Sequence, residues 1–363
     1  MKKRVVVGMS GGVDSSVSAF LLKKNYSVTG LFMKNWEEDD TEKICSSEED
    51  MKYAKSVCKK LKIKLKFVNF SSEFWNDVFT PLLDGYRSGI TPNPDILCNK
   101  KIKFDLFIKF SEKFLKADYI ATGHYARKIL VNGEYHLLKG TDLKKDQSYF
   151  LYTLNQFQLS KSIFPIGNLK KKIVRKIALK IGLSNAKRKD STGICFIGKR
   201  NFSKFISKYI PPNPGLIITT EGKVIGKHSG ISYFTIGQRK GLNIGGIKNS
   251  KNFPWYVVEK QKKNNILVVA QGRNHDRLMY DEFIVKKLNF IGETFIKRNK
   301  NISVKTRYQQ IDIPCTVKMI QNKYIHVKLI HKVSSITPGQ SAVFYNNERC
   351  LGGGVIHSCI KNY

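Results

Sequence analysis

Acidic residues are scarce in this chain: 28 Asp and Glu stand against 64 Lys and Arg among 363 residues, a formal charge of +36. No apolar run approaches the ~20 residues that a membrane-crossing helix needs. The N-terminal stretch Met1–Gly8 is too short in its apolar part for a secretory signal. Seven cysteines, at positions 45, 58, 98, 195, 315, 350 and 359, never form a CxxC pair. An odd count without that spacing disfavours both a disulfide framework and a zinc ribbon. Internal repeats and low-complexity tracts are absent. A cytoplasmic globular protein of two or three domains is the expectation.

The basic excess suggests a polyanionic partner such as nucleic acid. Lysine supplies 52 of the 64 cations, however, and AT-rich coding would produce the same bias. Charge by itself is therefore weak evidence for RNA.

Hydrophobic periodicity divides the chain. Strand patterns at Arg4–Met9, Val28–Met33, Leu65–Phe70 and Ala117–Thr122 alternate with helical patterns at Val13–Lys24, Ser47–Leu61, Glu73–Tyr86 and Phe104–Leu115. That alternation predicts an α/β, Rossmann-like parallel sheet with helices on both faces. A basic helix over Leu169–Ile181 stops at Gly182, and a short one over Asn201–Tyr209 precedes the break Pro211-Pro212-Asn213-Pro214-Gly215. Beyond it, short strand-like runs at Trp255–Glu259, Ile266–Ala270, Ile302–Tyr308, Ile325–Leu329 and Ser341–Tyr345 predict small β modules, including a C-terminal β-barrel. The expected domains are 1–200, 201–278 and 279–363.

The sharpest local signal is Ser10-Gly11-Gly12-Val13-Asp14-Ser15-Ser16, between the first strand and a helix. Glycines allow close approach of a ligand, serines add hydroxyl donors, and a helix N-terminus supplies unpaired N–H groups. The combination suits phosphate or pyrophosphate, and its spelling excludes both GxGxxG and GxxxxGK[ST]. An N-capped helix after a glycine turn is the plain alternative.

Two cysteines stand apart from the rest. Cys98 ends Thr91-Pro92-Asn93-Pro94-Asp95-Ile96-Leu97-Cys98, read as a proline-stiffened loop in which Asp95 is close enough to exchange a proton with the thiol or a substrate. Cys195 follows the cations Lys187-Arg188-Lys189, which favour a thiolate if folded near it. Taken alone, either cysteine is more often a buried structural thiol than a reactive one.

Taken together, GMSGGVDSS, LFMKNWEEDD, TPNPDILCNKKIKF, ATGHYA, KDQSYFLYTL, DSTGICFIG, GQRKGL, NNILVVAQG, VKTRYQQ, TPGQSAVFY and CLGGG resemble the bacterial tRNA-specific 2-thiouridylase family of the PP-loop ATP pyrophosphatase superfamily. The match runs from about residue 4 to residue 357. The resemblance implies an ATP-dependent sulfurtransferase that adenylates the C2 oxygen of a tRNA wobble uridine and replaces it with persulfide sulfur, releasing AMP and pyrophosphate. It implies that Gly8, Met9, Ser10, Gly11, Gly12, Val13, Asp14 and Ser15 cradle the pyrophosphate of ATP, with Met33 and Gly123 at the adenosine. It implies that Asn93, Pro94 and Asp95 meet the target base, with Cys98 as nucleophile and Cys195 as persulfide carrier facing the same cleft. His124, Lys145, Asp146, Gln147, Arg307, Tyr308 and Gln340 are implied to touch tRNA. Mg2+ would accompany ATP, although no metal ligand can be assigned from the sequence. A sulfur-relay protein or cysteine desulfurase is the implied second partner. One departure is KKNYSVTG, residues 23–30, which lacks a glycine expected before the second strand.

Three readings compete. Another PP-loop ligase would not need the isolated cysteine pair. An iron–sulfur thiolase using Cys98, Cys195 and a carboxylate is disfavoured by the absence of CxxC. A non-catalytic RNA-binding scaffold would show no tRNA-stimulated pyrophosphate release.

Overall fold

Five parallel strands form the first sheet: β1 (Arg4–Gly8), β2 (Ser27–Lys34), β3 (Lys64–Asn69), β4 (Tyr119–Ala121) and, after the hairpin described below, β7 (Ser162–Ile163). Their order is β3-β2-β1-β4-β7, so the chain reverses its direction of travel across the sheet at β1. The computed structural model describes residues 1–37, 46–190, 202–245, 253–292 and 301–361. Val5 and Val7 of β1 pack against Val13 and Val17 of helix α1 (Val13–Leu22) and Val57 of helix α2 (Ser46–Leu61). Val6 packs on the other face, with Phe104, Phe107 and Ile120. A strand buried on both faces explains why its sequence is a continuous apolar run rather than an alternating one. The turn at Lys23–Tyr26 closes through Asn25 and Tyr26 N–H bonds to the Leu22 carbonyl, and no residue there has a positive φ. The glycine expected before β2 is therefore not required.

The Asn93–Cys98 segment is helical rather than a loop. Asn93 caps the Pro94–Cys98 helix by accepting from the Asp95 N–H, and Pro94 opens it. Proline in the first turn of a helix removes only an N–H that has no intrahelical acceptor. Helical backbone continues to Leu115 and ends at Lys116 in the left-handed conformation.

A hairpin unseen in the sequence, β5 (Ala126–Val131) and β6 (Glu134–Lys139), leaves the first sheet and joins a second one. The middle of the chain forms a separate four-stranded sheet from β8 (Gly215–Thr219), β9 (Val224–His228), β10 (Trp255–Gln261) and β11 (Ile266–Gln271). The remaining strands are β12 (Met279–Phe290), β13 (Ile302–Lys305), β14 (Ile313–Ile320), β15 (Tyr324–Ser334), β16 (Ser341–Asn346) and β17 (Arg349–Ile360). They run β12-β15-β14-β13-β16-β17 and close through β12–β17 pairing into a six-stranded barrel. Phe283, Val304, Val327 and Phe344 are among its fully buried core residues. β13 stops at Lys305, three residues before the expected strand end, because Gln310 caps Thr306 and turns the chain.

The hairpin extends this barrel sheet, pairing Leu137 with Cys350 and Leu138 with Arg349. The segment after it is built into the same junction. The Tyr149 hydroxyl donates to the Ser341 carbonyl at 2.9 Å, and the Tyr345 and Ser148 hydroxyls lie 3.2 Å apart. The first domain and the barrel thus share a core that includes Tyr149, Tyr152, Val343 and Tyr345. Among the described residues no helix is long and apolar enough to cross a membrane.

Candidate nucleotide and thiol site

The nucleotide loop leaves β1 at the C-terminal edge of the sheet, beside β4, where open α/β sheets bind ligands. Its carbonyls are tied back firmly. The Gly12 oxygen accepts from the Ser16 hydroxyl at 2.8 Å and from the Ser15 hydroxyl at 3.1 Å, and the Gly11 oxygen accepts from the Asn185 amide at 2.8 Å. Its donors are held only loosely: Ser10 N–H reaches the Ser15 hydroxyl at 3.3 Å and Gly12 N–H reaches the Ser10 hydroxyl at 3.4 Å. The first N–H groups of α1 have no intrahelical acceptor. Acceptors withdrawn and donors under-committed make a cradle for an anion.

Two glycines are sterically obligatory here. Gly11 has φ +71, and a Cβ on it would lie 2.4 Å from the Asp50 carbonyl oxygen. A Cβ on Gly123, just past β4, would lie 2.8 Å from the Ser15 nitrogen. Gly123 therefore abuts the N-terminus of α1, while the Met33 methyl group would be 3.4 Å from a Cβ on Gly8. The structure brings Gly8, Met33, Gly123 and Ser10–Ser15 together.

Asp14 is tied down by partners that sequence reasoning missed. Lys171 Nζ lies 2.9 and 2.8 Å from its two oxygens, and the Tyr125 hydroxyl donates to Oδ1 at 2.7 Å. Lys171 also meets Asp190 at 2.8 Å, and Asp190 further engages Arg175 at 2.6 Å and Lys145 at 2.7 Å. Burial pushes the Asp190 carboxyl up, but bonds from Lys145 and Lys171 outweigh it and hold the group at about 2. Lys171 begins the Lys171–Lys180 helix, whose first N–H is accepted by the Asp142 carboxylate at 2.9 Å. Arg188, one of the cations upstream of Cys195, faces Asp50 at 2.6 Å and the Gly11 carbonyl at 3.4 Å.

Cys98 is fully buried, in the cluster that holds Phe79, Leu82 and Ile102. A nucleophilic thiol needs partial exposure, so the structure shows Cys98 in a closed setting. Cys195 and Cys45 lie outside the described residues. The remaining cysteines have raised pKa values through burial, about 11 at Cys58 and about 12 at Cys315, Cys350 and Cys359, as structural thiols do.

Of the residues expected on the RNA side, Tyr308 and Gln340 of the barrel reach the segment that carries Cys98. Asn99, next to the thiol, donates to the Phe150 carbonyl at 3.1 Å, and the Phe150 ring packs 4.4 Å from that of Tyr308. The Tyr308 hydroxyl donates to the Lys145 carbonyl at 3.4 Å; burial first, then the negative charges of Asp146, Asp142 and Asp95, pushes it up to about 12. Gln340 donates to the Thr91 carbonyl at 2.9 Å, and Thr91 N–H donates to the Pro338 carbonyl. Arg307, half-buried, donates to the Ser335 carbonyl at 2.6 Å. Thr91 also touches Thr235 of the central domain at 3.1 Å, so all three parts of the chain meet beside Asn93–Asp95.

Asp146, Gln147 and His124 have inward-facing roles in this structure. Asp146 is buried and accepts from Gly140 N–H, Ser148 N–H and hydroxyl, and Lys305 at 3.3 Å. Gln147 Oε1 accepts from Tyr125 N–H at 3.0 Å. His124 lies at the end of β4, bonded to Thr122 at 2.8 Å, and burial, assisted by the Lys103 charge, drives its pKa well below the ordinary 6.5. Its imidazole is neutral at physiological pH.

A strand, a donor-rich turn and a helix at the reversal point of a parallel sheet define a nucleotide-binding α/β domain carrying two β modules. Family models match accordingly: a tRNA methyl transferase HUP domain over residues 3–199, a tRNA methyl transferase PRC-barrel domain over 203–271 and an aminomethyltransferase β-barrel domain over 280–356. The tRNA-specific 2-thiouridylase of Shewanella amazonensis is 56% identical over 361 residues, covering 99% of this chain and 96% of its own. That of Proteus mirabilis is 54% identical with coverages of 99% and 98%, and that of Escherichia coli O6:H1 is 56% identical with coverages of 98% and 96%. The chain belongs to the tRNA-specific 2-thiouridylase family.

Proposed function

We propose that the chain converts the wobble uridine of tRNA to 2-thiouridine in the cytoplasm, using ATP and persulfide sulfur. The observation that carries this reading is the shared junction. The anion cradle and the Cys98 helix belong to one domain, and Lys145 touches both the Asp190 network beside the cradle and Tyr308 beside Phe150 and Asn99. A methyl donor brings its own leaving group and calls for neither a pyrophosphate cradle nor a cysteine pair. The sulfur reading therefore explains residues that a methyl transfer leaves idle.

The chemistry follows from a poor leaving group. The uracil C2 oxygen attacks the α-phosphorus of ATP, pyrophosphate departs, and C2 now carries AMP as its leaving group. The loop N–H groups and the N-terminus of α1 stabilise the negative charge that shifts onto the departing pyrophosphate. A Mg2+ ion would neutralise triphosphate charge. Such ions sit mainly on phosphate oxygens with one or two carboxylates, and Asp14, the carboxylate of the loop, would have to exchange its bonds to Lys171 and Tyr125 to serve as one. Among the described residues no cluster of three or more His, Cys, Asp or Glu could hold a metal by itself.

The terminal sulfur of a Cys195 persulfide then attacks C2 and expels AMP. Attack of the Cys98 thiolate on the Cys195 sulfur breaks the S–S bond, leaves sulfur on C2 and closes a Cys98–Cys195 disulfide, which an external thiol reduces. Alternatively Cys98 attacks the persulfide first, and the hydrosulfide released attacks C2. Asp95, three residues before Cys98 in the same helix, would take a proton from the thiol or meet the base. Asn93 and Pro94 would line the base pocket, while Lys145, Arg307, Tyr308 and Gln340 form the RNA side. Cys195 loads from a sulfur-relay protein or a desulfurase.

Purified protein should release pyrophosphate from ATP when unmodified tRNA is added, and only poorly without it. ATP turnover indifferent to tRNA would count against this function.

A further inference from the structure

We propose that Asn185 is a positioning residue of the nucleotide loop, holding the Gly11 carbonyl out of the phosphate cradle; this rests on the ATP-binding part of the function proposed above. Asn185 lies 174 positions from Gly11 in the chain, in the segment that follows the Lys171–Lys180 helix and leads towards Cys195. The residue is 1% exposed. The amide nitrogen donates to the Gly11 carbonyl at 2.8 Å and to the Ser16 hydroxyl at 2.9 Å, so both of its protons are used. The Ser16 hydroxyl in turn donates to the Gly12 carbonyl at 2.8 Å. The Gly11 carbonyl oxygen can only accept, which fixes the amide orientation: a flip would set Oδ1 against it.

The consequence falls on Gly11. Its φ of +71 and its contact with the Asp50 backbone press the loop onto α2 on one side. On the other side its carbonyl needs a donor, because an untethered carbonyl at a phosphate site presents negative charge to an anion. Asn185 supplies that donor, and Ser15 and Ser16 do the same for Gly12. Arg188 reaches the Gly11 oxygen at 3.4 Å, too long to replace the amide.

The Asn185 Oδ1 atom is buried and has no hydrogen-bond partner among the described residues. A residue kept with an orphaned acceptor in the interior is retained for its donor, since an apolar side chain of similar size would carry no such cost. Loop geometry is thus set by the arm of the chain that also leads to the proposed persulfide cysteine.

Equilibrium ATP binding to the full-length protein tests this, alongside the KM values for ATP and tRNA in pyrophosphate release. Asn185→Asp, which puts a charged acceptor where a donor was, should weaken ATP binding at least about tenfold, and Asn185→Ala by less. KM for tRNA should stay within about twofold in both. If Asn185→Asp does not fold, Asn185→Ser decides, because one hydroxyl donor should restore tighter ATP binding than Asn185→Ala shows. Unchanged ATP affinity in folded variants, or equal losses for ATP and tRNA, would overturn the proposal. Wild-type protein that binds ATP but makes no 2-thiouridine would defeat the functional reading and leave the role of Asn185 standing.

Discussion

Replacing Gly123 with alanine tests whether the start of α1 is the nucleotide site. A Cβ there would stand 2.8 Å from the Ser15 nitrogen, 2.9 Å from the Asp14 carbonyl carbon and 3.0 Å from Asp14 Cβ. Two of these are backbone atoms, which cannot rotate aside as a flexible side chain can. Reaching an ordinary contact of 3.4 Å requires the first turn of α1, or the chain after β4, to move by about 0.6 Å. Overpacking of that kind costs about 1–3 kcal/mol of stability. The displaced donors also lose alignment with the phosphate, so ATP affinity should fall at least about tenfold, or ~1.4 kcal/mol. Gly226→Ala is the control: its nearest neighbours are Ile217 side-chain atoms at 3.7 and 3.9 Å, and its stability should change by less than about 0.5 kcal/mol. Calorimetric titration with ATP and urea denaturation of both variants measure the two effects. Gly123→Ala protein that binds ATP like the wild type would refute the assignment of the cradle.

Activation and sulfur transfer should separate by mutation. Cys98→Ser and Cys195→Ser should each abolish 2-thiouridine yet still release pyrophosphate with ATP and tRNA, and only Cys98→Ser should accept labelled persulfide sulfur; the opposite loading pattern would swap the two roles. Arg307→Ala and Lys145→Ala should weaken tRNA binding in a filter assay while changing ATP affinity little, and equal loss of both ligands would mean a folding defect. Asp146→Asn should act differently, destabilising the protein by about 3 kcal/mol or more because Lys305 keeps a buried charge without its counter-ion. A normally stable Asp146→Asn protein that loses only tRNA binding would instead place Asp146 on the RNA. His124 stays neutral when folded but takes a proton near pH 6.5 when unfolded, so its contribution to stability is lost as pH falls below that value. Between pH 7.5 and 5.5 the wild type should lose up to about 1.4 kcal/mol more than His124→Phe in urea titrations, and parallel losses would mean that His124 is charged in the fold.

The parallel sheet was legible because β1 is an uninterrupted apolar run followed by a helix-opening Ser-Gly-Gly turn, a pattern that local chemistry dictates. The hairpin Ala126–Lys139 was not. Its exposed edge carries Ile129 and Leu130, and its pairing partner is Arg349–Cys350, more than two hundred positions away. The Asn93–Cys98 segment was misread because its prolines were weighed as stiffeners, although Asn followed by Pro is also a cap and a first helical residue. Burial of Cys98 could not be read from its neighbours, since Phe79 and Leu82 come from another helical stretch. Within the site, the glycines and serines announced themselves by spelling. Lys171, Asn185 and Tyr125 did not, because long-range folding alone brings them to the loop. Asp146 and Gln147 belonged to a string implied to touch RNA, yet their side chains bind the barrel and Tyr125.

Nucleoside mass spectrometry of tRNA from cells with and without this protein tests the central claim most directly. Loss of 2-thiouridine in its absence, restored by the wild-type chain but not by Cys98→Ser, is the result expected. An unchanged 2-thiouridine content in cells lacking the protein would contradict the account.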